Sequence, residues 1–199
     1  MKLQRPLLVD TFAIITCDMK TYICLLRGVN VGGNNRLPMK ELRSLLESIG
    51  LENVRTYIQS GNIVFRSEEE EVSRLSASIS AAIKDSFGFE PLALVLSGEE
   101  FDEAITANPY PEAESEPKTL HLYFLASAPA NPDLAALEAL KQENERFLLT
   151  DRVFYLHAPD GIGRSKLATK VEKSLAEPVS ARNWRSVTQI KNLSQEISP

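Results

Sequence analysis

From Thr21 onward the apolar positions fall into blocks that alternate between strand-like runs and helix-like stripes. Thr21–Leu26 is a short β-branched and apolar run that reads as a buried strand. Met39, Leu42, Leu45, Leu46 and Ile49 then share one helical stripe, with Pro38 at its start and Gly50 as its stop. Val54–Gln59 and Asn62–Arg66 read as strands joined by a Ser60-Gly61 turn. Val72, Leu75, Ile79, Ile83 and Phe87 mark a second helix ending at Gly88, and Leu92–Leu96 is a further strand. The order βαββαβ predicts a ferredoxin-like plait over residues 19–98.

Residues 119–199 repeat the order of elements without a residue-level repeat. Leu120–Leu125, Phe147–Thr150, Val153–His157 and Val179–Arg182 read as strands. Pro132–Lys141, Lys166–Ala176 and Arg185–Leu193 read as helices. The expected fold class is therefore α+β, with two ferredoxin-like units in tandem, each an antiparallel sheet with helices on one face. Residues 99–118 join them as a helix from Glu99 to Ala107 and a Pro-containing stretch. The seven acids from Glu99 to Glu116 read as a solvated face. Residues 1–18 are expected to be a non-core extension: Asp10 interrupts the apolar run from Leu7 to Cys17, no small-x-small cleavage pattern follows, and Met19 offers a start.

Composition removes several classes. Among 199 residues, 22 Lys and Arg face 27 Asp and Glu, and the net charge of −5 argues against a general nucleic-acid coat protein. No apolar run reaches the length of a membrane span. Two cysteines and two histidines make neither a disulfide framework nor a zinc site alone, which points to a reducing, cytoplasmic setting. No carboxylate cluster has metal-site spacing, so no metal is expected, and no cofactor is named by any motif. The catalytic reading is weak: His121 and His157 fall in strands, and Cys24 reads as a small buried hydrophobe.

Four segments carry candidate binding chemistry. In Gly28–Asn35, flanked by Arg27 and Arg36, six of eight residues are Gly or Asn, including Asn30, Gly32, Gly33 and Asn34. Such a loop is either a tight strand-to-helix turn or a nest of backbone N–H groups for an anion. Gly161-Ile162-Gly163-Arg164-Ser165-Lys166 leads toward a helix that Ser165 is expected to cap. Arg164 and Lys166 would then add positive potential for an anion at the helix start, with a solvated Lys face as the alternative. From Arg164 to the end, seven Lys and Arg outnumber three Glu. Gln59, Asn62, Tyr57 and Arg55 are expected on the sheet face away from the helices, with Val54, Thr56, Ile58, Ile63 and Phe65 facing them. That outer face either packs on the second unit or on a second copy, or stacks nucleic-acid bases, packing being favoured. Around Ser60 and in Arg182-Asn183-Trp184, the polar groups are candidate ligand contacts, and Trp184 equally reads as a helix anchor. The expected partner is a small anionic or phosphorylated ligand near the two glycine-bearing loops. The alternative is a nucleic-acid or protein-interaction module.

These blocks also carry a resemblance. Tyr22-Ile23-Cys24-Leu25-Leu26-Arg27-Gly28-Val29-Asn30-Val31-Gly32-Gly33 with Leu37-Pro38-Met39, and Tyr57 through Phe65, resemble the opening and hairpin of a bacterial family catalogued as domain of unknown function 1697. Tyr155-Leu156-His157, Gly161 through Leu167, and Ala181-Arg182-Asn183-Trp184 are similar to its C-terminal blocks. The resemblance runs from about residue 20 to 193. It implies two ferredoxin-like units and no established activity, so function rests on the sites.

Overall fold

A computed structural model describes residues 19–198, so the expectation for residues 1–18 lies outside the described residues. The first half contains β1 (Lys20–Arg27), α1 (Met39–Ser48), β2 (Glu52–Tyr57), β3 (Asn62–Ser67), α2 (Val72–Phe87) and β4 (Leu92–Ser97). Its sheet has the order β2-β3-β1-β4, with every pairing antiparallel. After α3 (Gly98–Thr106) and a 3-10 turn (Pro111–Ser115) come β5 (Leu120–Leu125), α4 (Leu134–Leu140), β6 (Arg146–Leu149) and β7 (Val153–His157). A second 3-10 turn (Ile162–Arg164), α5 (Val171–Leu175), β8 (Val179–Asn183) and α6 (Trp184–Ile197) complete the chain. The second sheet, β6-β7-β5-β8, is again antiparallel throughout. The protein is α+β, with two four-stranded antiparallel sheets and helices.

Strand alternation separates three cores. Tyr22, Cys24 and Leu26 of β1 point to α1 and α2, where Leu42, Leu46, Leu75, Ile79 and Ile83 meet Ile63 and Phe65. Tyr123 and Leu125 of β5 pack with Leu137, Leu167, Val171 and Leu175. The opposite strand faces share one core: Ile23, Leu25, Val64, Leu94 and Leu96 of the first sheet join Leu120, Leu122, Phe124 and Tyr155 of the second. Phe101 and Ala104 of α3, and Trp184, Val187, Ile190 and Ile197 of α6, fill the space between them. At about 1.5–3 kcal/mol for each fully buried aliphatic or aromatic side chain, this shared core is a main source of cohesion between the halves. The Tyr155 hydroxyl donates to the Ala104 carbonyl at 2.7 Å inside it, and burial raises that phenol to about 12. The first sheet's outer face therefore packs on the second half, as the favoured reading expected. The connector also does more than present a solvated face: Phe101, Ala104, Tyr110 and Ala113 are buried while Glu99, Glu103, Glu112 and Glu114 turn outward. Its helix start is fixed by a reciprocal box between Ser97 and Glu100.

Two local expectations are corrected. The β2–β3 turn holds four residues, Ile58–Gly61, and pairs Tyr57 with Asn62 rather than Gln59. The carbonyls of Gln59, Ser60 and Gly61 are each claimed by another element: the Asn30 side chain, the Arg182 guanidinium and the Leu26 amide. Because the slip is two residues, Val54, Ile63 and Phe65 keep their facing, but Ile58 leaves the core side and is 52% exposed at φ 48°. The helix expected over Lys166–Ala176 is α5 alone, Val171–Leu175. Residues 166–170 close as turns, with the Lys170 amide bonded to the Leu167 carbonyl three residues back.

Candidate functional site

The first glycine-bearing loop folds on itself. Gly32 and Gly33, both at positive φ, form a two-residue turn closed by the Asn34 amide on the Val31 carbonyl at 3.0 Å. Asn30 is its clasp. Its backbone N–H bonds the Asn35 carbonyl, its Oδ1 accepts from the Leu37 amide at 2.8 Å, and its Nδ2 donates to Leu37 and Gln59 carbonyls. Asn35 Nδ2 donates to the Gly28 carbonyl at 2.8 Å. The Asn residues thus supply turn conformations and internal bonds, joining this loop to the β2–β3 loop.

Arg182 ties the same corner to the second half. From β8 it donates through Nε to Asn62 Oδ1, through Nη2 to the carbonyls of Leu26 at 2.8 Å and Ser60 at 3.2 Å, and through Nη1 to Ser180 Oγ and the Ala181 carbonyl. All five partners are neutral. Burial lowers its pKa to about 10, and burial also holds the neighbouring Cys24 thiol up at about 12. Asn62, itself buried, fixes the turn by donating to Ser60 Oγ at 2.9 Å and the Tyr57 carbonyl at 3.2 Å.

Beside Arg182 a cleft of about 350 Å³ opens between the halves. Gly28, Val29 and Val31 form one wall; Ala168, Thr169 and Glu172 form the other; Ser60, Tyr123 and Ser180 lie between them. At its rim Arg27 and Glu172 make a two-pronged ion pair, Nη2 to Oε2 at 2.6 Å, with the side chains 45% and 42% exposed.

Of the residues expected to bind a ligand, Arg27, Ser60 and Arg182 meet at this cleft. Asn30 and Gln59 stand behind the loop, and Gly32, Gly33 and Asn34 form its exposed tip. Gly163, Arg164 and Lys166 are exposed and do not line the cleft. Ser165 is buried and accepts from the Ala168 amide at 3.0 Å, capping a turn rather than a helix. That corrects the expected helix start there: no helix begins until Val171. Asn183 caps α6 through the Ser186 amide at 2.9 Å, and Trp184 is the buried anchor of that helix. Sequence reasoning missed Glu172 and Thr169. Glu172 faces Arg27 across 145 residues of chain, and no local pattern announces such a pairing.

His121 is buried, its Nδ1 without a partner among the described residues, and burial pushes its pKa down to about 4. His157 Nδ1 lies 2.9 Å from Arg146 and is also lowered, first by burial. Among the described residues no group of three or more His, Cys, Asp or Glu is placed to hold a metal. No helix among them is long and apolar enough to cross a membrane.

The chain is similar to a solved structure described as that of conserved bacterial protein SP0830 from Streptococcus pneumoniae. The two are 25% identical with a TM-score of 0.67, over 89% of this chain and 99% of that one. No curated protein matches it. A family profile covers residues 19–155, taking in the first glycine-bearing loop and the hairpin and ending at Tyr155, where the C-terminal blocks begin. With most of its length matched, the chain belongs to the family described as "Protein of unknown function (DUF1697)".

Proposed function

We propose that this protein binds a small anionic ligand in the cleft between its halves, on a frame of two ferredoxin-like plaits in tandem. The plait reading is supported by element order βαββαβ with sheet order β2-β3-β1-β4, repeated as β6-β7-β5-β8. The observation that carries the ligand reading is the charge balance at the cleft: two guanidiniums, Arg27 and Arg182, against one carboxylate, Glu172. Arg182 is set among neutral acceptors, so its charge has no acidic counterpart. An incoming carboxylate or phosphate would take the Arg27 fork from Glu172, since Arg pairs with both groups in the same two-pronged geometry. Such a metabolite-scale role fits a chain of cytoplasmic composition with a buried, unpaired thiol.

The sheet-face route of the alternative lacks support, because α3 and α6 cover that face. Of the basic C-terminal segment, Arg182 is part-buried in β8 and Arg185 and Lys191 belong to α6, with Lys191 3.4 Å from Asp102.

A thermal-shift series with citrate, malonate and succinate tests the reading. A ligand at a hundred times its Kd stabilises the native state by about 2.7 kcal/mol, a shift of several degrees. Glu172→Gln is expected to strengthen binding by freeing Arg27, and Arg27→Gln to abolish it. An anion response unchanged in both variants sinks the proposal.

A further inference from the structure

A second cleft lies behind the first glycine-bearing loop, and its charge is one-sided. Arg36, Lys40 and Arg43 line a space of about 460 Å³ together with Asn30, Gln59 and the chain from Leu37 to Met39, and no carboxylate lines it. By contrast, Arg27 at the rim of the cleft between the halves is held by Glu172. Among the described residues Arg36, Lys40 and Arg43 hold no acidic partner, in a chain where acids outnumber bases. Three like charges converging on one concavity repel one another, and an anion seated among them removes that repulsion.

The cleft is also built in advance. The Asn30 side chain bonds the backbone of both walls, at Leu37 and at Gln59, with distances of 2.8–2.9 Å. Arg43 Nη1 is aimed by Thr56 Oγ1 at 2.9 Å, leaving its other donors for a ligand. The floor is the first turn of α1, whose Pro38 start has no side-chain cap, so its backbone amides add to the potential set by the three side chains. Fixed walls mean that little ordering accompanies binding.

We propose that this cleft binds a phosphorylated small molecule, at a site separate from the one between the halves. Two arginine forks and a lysine match the charge and oxygen geometry of a phosphate monoester or diphosphate better than that of a single carboxylate. The volume lies in the range of small-molecule pockets, leaving room for an organic portion beside the Gln59 amide.

The test is calorimetric titration of the full chain with inorganic phosphate, pyrophosphate and a ribose phosphate. Arg36→Gln/Lys40→Gln removes two exposed charges without touching the core, and Arg43→Gln is the second variant. Saturable binding is expected, tighter for pyrophosphate than for phosphate. It should weaken at least tenfold in Arg43→Gln and further in the double variant, while Arg27→Gln and Lys166→Gln bind as wild type. The inference is overturned if no probe saturates at millimolar concentration, if Arg36→Gln/Lys40→Gln binds as wild type, or if Arg27→Gln removes binding. That last outcome would assign the anion to the cleft between the halves and leave the proposed function standing.

Discussion

The two halves share a strand order but build their outer layers differently. In the first, α1 and α2 cover the sheet with 10 and 16 residues of regular helix. In the second, the same place is taken by α4 and α5, of seven and five residues, with turns between them. Their glycine-bearing loops differ in the same sense. Residues 28–37 are clasped by Asn30 and Asn35 and lead at once into a full helix. Residues 161–166 make a 3-10 turn, bury Ser165 and postpone the helix to Val171. The same topology therefore tolerates either arrangement, and a glycine-rich stretch before a helix pattern does not by itself create a helix-start site. The conformation of the residues just after the loop decides whether one forms.

The sharpest break between the halves is expected at their glycines. A Cβ on Gly61 would meet Leu26 Cβ at 2.6 Å and Val29 Cγ2 at 2.9 Å, at φ +70°. Gly61→Ala should cost about 3 kcal/mol, combining backbone strain with overpacking. At Gly163 nothing lies within 4 Å and φ is not positive, so Gly163→Ala should fall within about 0.5 kcal/mol of wild type. Urea midpoints that are equal for the two variants would erase this contrast.

Acid should separate the halves next. His121 is neutral in the fold, with a pKa of about 4 against 6.5 when unfolded. Its depressed folded pKa means that stability is present above the unfolded value. It is lost as pH falls from about 6.5 towards about 4, where the unfolded chain binds the extra proton. Between pH 7 and pH 5 this amounts to about 2 kcal/mol, and amide protection in the second half should fall first. His121→Gln should flatten the slope; an unchanged slope would assign the acid sensitivity elsewhere.

The loop clasps supply the smallest difference. Asn30→Ala loses three side-chain hydrogen bonds and should cost about 2 kcal/mol, whereas Ser165→Ala loses one and should cost about 1 kcal/mol. Chemical denaturation of the two variants side by side reads this, and a larger loss at Ser165 would reverse the comparison.

Much of the fold was legible because burial leaves a periodic trace. The stripe Met39, Leu42 and Leu46 points to a face that the structure fills as expected, and the apolar run Tyr22–Leu26 to a strand that is buried on both sides. The site was legible only in part. Arg27, Ser60 and Arg182 are visible as chemistry in the sequence, but their meeting across β1, the hairpin loop and β8 is not. The four-residue turn escaped because its carbonyls are held by partners distant in the chain, while local turn preferences favoured Ser60-Gly61. Lys40 and Arg43 offered a signal that sequence reading passed over: a spacing of three on α1 brings both to one side of the helix start, close to Arg36 of the preceding loop.

The sequence by itself determined the order of the elements and most of their inward faces, because each depends on residues within a few positions of one another. Tertiary structure alone decided which polar groups are held by partners and which carry no acidic one. Asn30 and Arg182 satisfy buried backbone acceptors, Glu172 occupies Arg27, and Arg36, Lys40 and Arg43 hold no acid. The physical reason is that charge pairing and hydrogen-bond satisfaction are set by distance in space, and two residues 145 positions apart acquire that distance only when both sheets close on their shared core.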